Sequence, residues 1–491
     1  MSARAPRPTA SVRQLAAVIL AAGEGKRFRS DLPKVLHDLC GRPLVAGVLD
    51  AALALKPSRT IVVVGRGADQ VAQAVGELTP RPIEFVLQRE QLGTADAARV
   101  ADDALGEFKG DVIVLPGDHP LVSKTTLRDL LKRHRRAGAA ATILTATFGD
   151  PSGYGRIVRD DDGSIRAIVE HRDATPAQRA IREWNTSMYV FDGMALRSAL
   201  TSIDRRNEQS EFYLTDVISV LADKGERIES WSTDDPADTM GVNDRAQLAE
   251  AAGLLRARIN RALMEAGVTI IDPAQTYIDP GVEVGRDTVI HPMTLLMGST
   301  MVGKGCEIGP NVRARDTRID DGARVLFAVL EQARVGPEAS VGPFAYLRPG
   351  AQLARKAKVG TYVEVKASEI GEGSKVPHLS YIGDAAIGKD VNVGAGTITV
   401  NYDAETKTKS KTVIGDGAKI GSDTMLVAPV RVGRGAVTGA GSVVTKDVPA
   451  ETVVVGSPAR KLRARKRPSS AKRGEAAKRG EAATKAAKKK E

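Results

Sequence analysis

Aromatic side chains are scarce in this 491-residue chain, where Phe, Trp and Tyr together make up 4%. A core built on rings is therefore not expected, and aliphatic residues must do the packing. Cysteine is scarcer still. Cys40 and Cys306 are the only two, which excludes a disulfide framework or thiolate metal cage and points to a reducing, cytoplasmic setting. No run approaches the ~20 apolar residues of a membrane span, so no membrane association is expected. Met1 to Arg13 has Arg and Pro but no apolar centre, so it does not read as a signal peptide. The C-terminus has little acidic charge. From Lys461 to Glu491, thirteen Lys or Arg face three Glu, which accounts for ten of the eleven net positive charges. This stretch repeats Lys-Arg-Gly-Glu-Ala-Ala at 472–477 and 478–483 and has almost no apolar residues. We expect a disordered basic tail. The remaining chain is near neutral, and no nucleic-acid partner is expected.

Glycine is abundant, at 48 residues, and its placement is informative. From Val284 to Val444 the chain reads in sixes. An aliphatic residue, often followed by Gly, falls at Val284, Ile290, Leu296, Val302 and Ile308. After an irregular patch the register returns at Val335, Val341, Leu347, Leu353, Val359 and Val365, and again at Ile414, Ile420, Leu426 and Val432, with Thr438 and Val444 closing the run. An α-helix cannot put every sixth residue on one face at 3.6 per turn. A plain alternating strand would not need Gly at the next position. A coil of three short faces needs both, with the aliphatic residue pointing into a narrow prism and the small residue turning the corner. The pattern predicts a parallel β-helix of hexapeptide repeats.

The first third alternates differently. Ala16–Leu20, Thr60–Val64, Glu84–Leu87, Asp111–Leu115 and Ala141–Thr147 read as strands. Helical patterns at Val45–Leu55, Ala68–Val75, Thr94–Ala104 and Lys124–Ala137 separate them. Such alternation predicts a Rossmann-like α/β domain with a mostly parallel sheet and ligands at the carboxyl ends of its strands. The candidate motifs sit at those ends. Gly23 and Gly25 allow close backbone approach to a phosphate chain, and Lys26, Arg27 and Lys34 supply charge. Asp118, in Pro116-Gly117-Asp118, can hold Mg²⁺ against a nucleotide phosphate. Gln88 and Gly93 can meet a base, and Thr94 can cap the next helix. Each motif alone would also fit an ordinary turn.

Between the two regions, Leu248, Ala252, Leu255, Ile259 and Leu263 fall on one helical face, and Gly267 is a good stop. The predicted organisation is a disordered N-terminus over 1–14, an α/β domain over 15–244, a linker helix over 245–267, a β-helix over 268–460 and the tail over 461–491. Gly253 within the helix costs about 1 kcal/mol relative to Ala.

Taken together, Leu20-Ala-Ala-Gly-Glu-Gly-Lys-Arg-Phe…Pro33-Lys34 resembles the signature of sugar-1-phosphate nucleotidyltransferases. Gly153-Tyr154-Gly155-Arg156-Ile157, Val169-Glu170-His171-Arg172-Asp173-Ala174, Trp184-Asn185-Thr186 and Gly241-Val242-Asn243-Asp244-Arg245 follow in order. In this order the pieces resemble one family, the bifunctional N-acetylglucosamine-1-phosphate uridylyltransferase / glucosamine-1-phosphate N-acetyltransferases, over roughly residues 15 to 455. The resemblance implies that Leu20, Ala21, Ala22, Gly23, Lys34, Gln88, Gly93 and Thr94 hold the uridine nucleotide. It also implies that Gly155, Glu170, Asn185 and Asn243 hold the sugar and ribose side. Asp118 and Asn243 would share Mg²⁺, and Arg27 would stabilise charge on the transferring phosphate. Phe28 stands where Met is more usual, Pro116 where the family often has an aromatic residue or Asn, and Ala95-Asp96 where it has Gly-His.

In the repeat domain, Pro377-His378-Leu379-Ser380-Tyr381 and the segment Asn401 to Lys411 interrupt the sixes. An isolated His is more often a surface residue than a catalyst. The surrounding residues resemble the acetyltransferase half of the same family. That resemblance implies a left-handed coil, against the usual rule for crossovers. It makes His378 the general base toward the amine of glucosamine-1-phosphate as that amine attacks acetyl-CoA. Arg348 and Lys366 would hold the sugar phosphate, and Tyr381, Asn392, Asn401 and Tyr402 would orient the sugar and the oxyanion. Asn401 and Tyr402 would also border the acetyl-CoA, whose arm would run past Ala395, Ser422 and Ala440. A basic coenzyme contact that the family often has near Ser457 is missing, and Arg460 and Lys461 are the nearest cations. A homotrimer is implied as well. The product would be UDP-N-acetylglucosamine, made from glucosamine-1-phosphate, acetyl-CoA and UTP. Two alternatives stay open at this point. One is a monofunctional sugar-1-phosphate nucleotidyltransferase with a structural β-helix, and the other is a scaffold that uses its tail on nucleic acid.

Overall fold

The computed structural model describes residues 13–147, 149–205 and 207–464. The chain divides into two compact units between Leu255 and Arg256. In the first, the sheet runs in the order Ile228–Ser232, Ala141–Ala146, Trp184–Asp192, Asp111–Pro116, Leu15–Ala21, Arg59–Val64 and Glu84–Leu87. Leu15–Ala21 lies inside the sheet, parallel to both neighbours, and Ala16, Ala17, Val18 and Ile19 are buried, because helices cover both faces. The mostly parallel expectation holds along the main path of the sheet except at one strand, and off that path Arg156–Arg159 pairs antiparallel with Trp184–Asp192 and with Ile165–Val169. Trp184–Asp192, which the periodicity did not mark, runs antiparallel to both its neighbours. The four expected helices are found at Val45–Leu53, Ala68–Leu78, Thr94–Leu105 and Lys124–Ala137.

Both expected domain ends shift. Arg13 falls within the expected disordered N-terminus, yet its Nε lies 2.8 Å from the buried Asp111 carboxylate. The first strand is thereby pinned before it begins, while residues 1–12 lie outside the described residues. At the other end, Arg460–Ala464 is a strand pairing antiparallel with Thr452–Val455. The last strand therefore takes in four residues of the segment read as tail. Residues 465–491 lie outside the described residues.

The second unit is a coil of three sheets with twelve, ten and nine strands, parallel throughout except for the last strand, Arg460–Ala464, and the hexapeptide residues form its interior. Every one from Ile290 to Val444 is buried, and only Val284, near the open first turn, is half-buried. The irregular patch after Ile308 does not interrupt the coil. Ile308 pairs with Val325, and Ile319 with Val335. The turns there are shortened by one or two residues, so the inward positions continue through Ala314, Ile319, Val325 and Leu330. Spacing alone hid this, because a face of five residues breaks a period of six without breaking the prism.

Gly309 and Gly342, after Ile308 and Val341, turn left-handed as expected, with φ +95° and +98°, but other glycines after the aliphatic residues serve a different purpose. A Cβ on Gly394 would lie 2.4 Å from the Ser422 nitrogen, and one on Gly421 2.7 Å from the Ala440 nitrogen. Close stacking of successive turns excludes a side chain there. The left-handed corners are turned by large residues as well, among them Phe344, Tyr362 and Leu379. Truncating the fully buried Leu347 to Ala should cost about 2–5 kcal/mol, seen as a lower denaturant midpoint with an unchanged slope.

The linker is one helix, Arg245–Glu265. Leu248, Ala252 and Leu255 pack with Phe28, Leu44 and Val242. Ile259 and Leu263 pack on the core of the coil.

Candidate functional site

In the first unit the candidate residues converge at the carboxyl ends of the central strands. The Leu20 carbonyl accepts the Gly117 N–H at 2.8 Å, which brings the loop bearing Asp118 beside the Gly23 loop. The Val242 N–H donates to the Asp118 carbonyl at 2.9 Å, and the Asn243 N–H to Gln247 Oε1 at 2.7 Å. The Asn243 loop is thus fastened to the Asp118 loop. Lys34, at the start of a short 3₁₀ turn, points its ammonium between the two side chains, 2.5 Å from Asp118 Oδ2 and 3.1 Å from Asn243 Oδ1. Residues that lie 84 and 209 positions along the chain from Lys34 therefore join it in one charged point.

His119 is a member of this group that the sequence reading missed. Its Nδ1 lies 2.8 Å from Asp118 Oδ1, and its buried Nε2 has no partner among the described residues. Gly241 packs against the ring so tightly that a Cβ would lie 2.9 Å from Cε1. Burial pushes the Asp118 carboxyl up, but contact with His119 and then the charge of Lys34 outweigh it and hold the group well below the usual carboxylate range.

Gln88, Gly93 and Thr94 form a second cluster. Gly93 has φ +115°, and a Cβ there would lie 2.4 Å from the Phe212 carbonyl oxygen, so only glycine fits. Thr94 does not cap its helix as expected. It is the first residue of Thr94–Leu105, and its hydroxyl accepts from the Leu214 N–H at 3.0 Å. The Gln88 amide donates to the Gly93 carbonyl at 3.1 Å and to Asp96 Oδ2 at 2.8 Å. Gln91, also missed, donates to the Ala22 carbonyl at 3.1 Å and ties this cluster to the Gly23 loop.

Gly155, Glu170 and Asn185 form a third group. The Asn185 N–H donates to the Gly155 carbonyl at 2.9 Å, and a Cβ on Gly155 would come within 3.5 Å of Glu170 Oε1. Burial pushes the Glu170 carboxyl up, against a bond from Thr215 at 3.3 Å. The Asn185 side chain is held inside its own strand, with the amide on Tyr189 Oη at 2.7 Å and the oxygen on the Ser187 N–H at 3.0 Å. Arg27 is exposed, and no described contact joins it to Lys34, Asp118 or Asn243.

In the second unit the strand register groups the candidates. Lys375 pairs with Asn392, Asn392 with Lys419, and Lys419 with Val437. This stacks His378, Ala395, Ser422 and Ala440 on one corner of successive turns, with the His378 side chain exposed at the end of its strand. Asn392 belongs to this same sheet.

The adjoining sheet carries the cations. Arg348 Nη1 donates to Glu364 Oε1 at 2.8 Å, and Lys366 Nζ lies 3.5 Å from Asp384 Oδ2. Asp384 also accepts from the Asn401 amide. Asn401 opens a two-stranded hairpin, Tyr402–Asp403 with Thr408–Lys409. Lys409 comes against Lys366, which pushes its ammonium below the ordinary range. Tyr381 pairs with Glu364, and its hydroxyl lies where a Cβ on Gly383 would be 2.5 Å away. Sequence reading missed Glu364, Asp384 and Lys409. Beside His378 runs an exposed apolar ridge. Phe344 stacks on Tyr362 with centroids 5.3 Å apart, and Leu379 follows one turn on, its N–H on the Thr361 carbonyl. These three residues are 52%, 60% and 60% exposed.

Comparisons with known proteins match both units. Residues 16–238 match the nucleotidyl transferase family, and residues 411–446 match the bacterial transferase hexapeptide family of six repeats. The bifunctional protein GlmU of Streptomyces avermitilis is 50% identical over 467 residues, covering 94% of this chain and 96% of that protein. Those of Brevibacillus brevis and Mycobacterium tuberculosis are 47% and 48% identical, over 89% and 93% of this chain and 94% and 93% of their own lengths. With a nucleotidyl transferase unit, a hexapeptide coil and such identity across both, this chain belongs to the family of bifunctional GlmU proteins.

Proposed function

We propose that the chain makes UDP-N-acetylglucosamine in two steps, one in each unit. In the coil, the amine of glucosamine-1-phosphate attacks the thioester carbonyl of acetyl-CoA. A C–N bond forms, the C–S bond breaks, and the coenzyme leaves as the thiol. His378 takes the amine proton. Arg348 and Lys366 bind the sugar phosphate, with Tyr381, Asn392, Asn401 and Tyr402 orienting the acceptor. The acetyl-CoA runs along the corner of Ala395, Ser422 and Ala440, whose small side chains leave it room, past Asn401 and Tyr402. In the α/β unit, a phosphate oxygen of N-acetylglucosamine-1-phosphate attacks the α-phosphorus of UTP and pyrophosphate leaves. Leu20 to Gly23, Gln88, Gly93 and Thr94 hold the nucleotide, Gly155, Glu170 and Asn185 the sugar, and Lys34 and Arg27 the phosphates.

Asp118 and Asn243 fit a divalent ion. Both aim an oxygen at the Lys34 ammonium, so a positive charge already sits where the two oxygens meet. A single carboxylate suits Mg²⁺, which takes most of its ligands from water and substrate phosphates. Bound there, Mg²⁺ would neutralise phosphate charge. The exposed ridge of Phe344, Tyr362 and Leu379 beside His378 supports a homotrimer, in which a neighbouring copy covers the ridge. No helix among the described residues is long and apolar enough to cross a membrane, and a cytoplasmic location fits two cysteines that form no disulfide.

The single observation that carries the bifunctional reading is the 50% identity to a bifunctional relative across both units. Purified protein given glucosamine-1-phosphate, acetyl-CoA, UTP and Mg²⁺ should release both thiol and pyrophosphate. EDTA should stop pyrophosphate formation and leave thiol release unchanged. Pyrophosphate from N-acetylglucosamine-1-phosphate without any thiol release would reinstate the monofunctional alternative.

A further inference from the structure

The geometry points to Asp96 as a positioning residue that sets nucleobase specificity by fixing which end of the Gln88 amide faces the base. Asp96 lies in the first turn of Thr94–Leu105 and accepts from Gln88 Nε2 at 2.8 Å. The Gly93 carbonyl accepts from the same nitrogen at 3.1 Å. A carboxylate and a backbone carbonyl can only accept. The group facing both must therefore be the amide nitrogen, and a flipped Gln88 would place three acceptors against one another. Gln88 itself is 4% exposed, so a flip would not be relieved by water. Both hydrogen bonds of its side chain run from the nitrogen, which leaves the carbonyl oxygen to meet a ligand.

This rests on the reading that Gln88 holds the nucleotide. Uracil carries an N–H donor at position 3 between two carbonyls, whereas cytosine has a lone pair there and a donor only on its exocyclic amino group. A fixed acceptor matches the uracil edge directly. Cytosine would put acceptor against acceptor, or have to shift within the site. Ala97 N–H also donates to the Gly93 carbonyl, so the second acceptor is itself held by the helix. Asp96 is the part of the lock that a side-chain substitution can remove.

The test measures kcat/KM for UTP and for CTP, by pyrophosphate release with N-acetylglucosamine-1-phosphate, in wild type, Asp96→Asn and Asp96→Ala. The carboxamide introduced by Asp96→Asn is isosteric with the carboxylate and can offer either an acceptor or a donor to Gln88, so a turned amide then meets one opposing acceptor, the Gly93 carbonyl, instead of two. The UTP-over-CTP ratio is expected to fall about tenfold or more in both variants. A merely structural role would depress both nucleotides together and leave the ratio unchanged. A wild type that prefers UTP, with variants that keep its ratio, overturns the assignment of Asp96 and leaves the uridylyl reading intact. A wild type with no preference for UTP overturns both.

Discussion

Replacing His378 with alanine is expected to reduce thiol release from acetyl-CoA by about 10²–10⁴-fold, the usual range for loss of a general base. Pyrophosphate release from UTP and N-acetylglucosamine-1-phosphate should be unchanged. The separation follows from the two compact units. Every residue proposed for uridylyl transfer lies before Leu255, and His378 lies in the coil. The imidazole is exposed at the end of Lys375–His378, so its removal opens no cavity and should leave the unfolding midpoint where it was. That is what makes the experiment decisive, since a loss of rate cannot be ascribed to a loss of fold. Thiol release persisting at the wild-type rate would leave the coil without its proposed base, and loss of both activities would contradict independent sites. The position of His378 on the same corner as Ala395, Ser422 and Ala440 gives the prediction its geometry. A thioester carried along that corner, as proposed, would reach the imidazole.

The coil was legible in the sequence because its interior is one residue wide. Each inward position must be aliphatic or small, so a period of six shows in three runs between Ile290 and Val444. Two features were not legible, for physical reasons. Shortened turns between Ile308 and Val335 keep the inward residue and drop one or two from the corner, which a fixed period cannot register. The antiparallel strand Trp184–Asp192 is buried at seven of its nine positions. It lies between two neighbouring strands under covered faces, so it needs no polar side and shows no alternation.

The candidate sites were legible only in part. Lys34, Asp118 and Asn243 carried motif neighbours of their own, but nothing in the sequence placed the Lys34 ammonium between the other two. His119 follows Asp118 directly and still went unread, since adjacency in the chain does not imply a side-chain contact. Asp384 and Lys409 belong to turn and hairpin positions with no motif, and they acquire meaning only when the register brings them to Lys366. Asp96 was visible as a departure from the family pattern, and its bond to Gln88 supplies the reason to care about it. Arg27 is exposed, with no described tie to the proposed phosphate site, and its role rests on the resemblance.

Asp118→Ala is expected to have the opposite effect to His378→Ala, cutting pyrophosphate release by about 10²–10³-fold or more with thiol release intact. Three consequences act together. The proposed divalent ion loses its only carboxylate ligand, leaving the Asn243 oxygen alone. Lys34 loses the counter-charge 2.5 Å from its ammonium, so the half-buried cation keeps only the uncharged Asn243 oxygen and is held less firmly toward the proposed phosphate site. His119 loses the acceptor for its Nδ1, with Nε2 already unpartnered among the described residues, which leaves neither ring nitrogen satisfied. Asp118→Asn separates charge from shape. The amide oxygen can still face Lys34, and the fold should be kept, yet an uncharged ligand binds a hard divalent cation more weakly. If charge is what matters, Asp118→Asn should lose nearly as much rate as Asp118→Ala and recover part of it at raised Mg²⁺, whereas Asp118→Ala should not recover. An Asn variant with wild-type rate and wild-type metal dependence would remove Asp118 from the metal site and leave it as a fastening for Lys34 and His119.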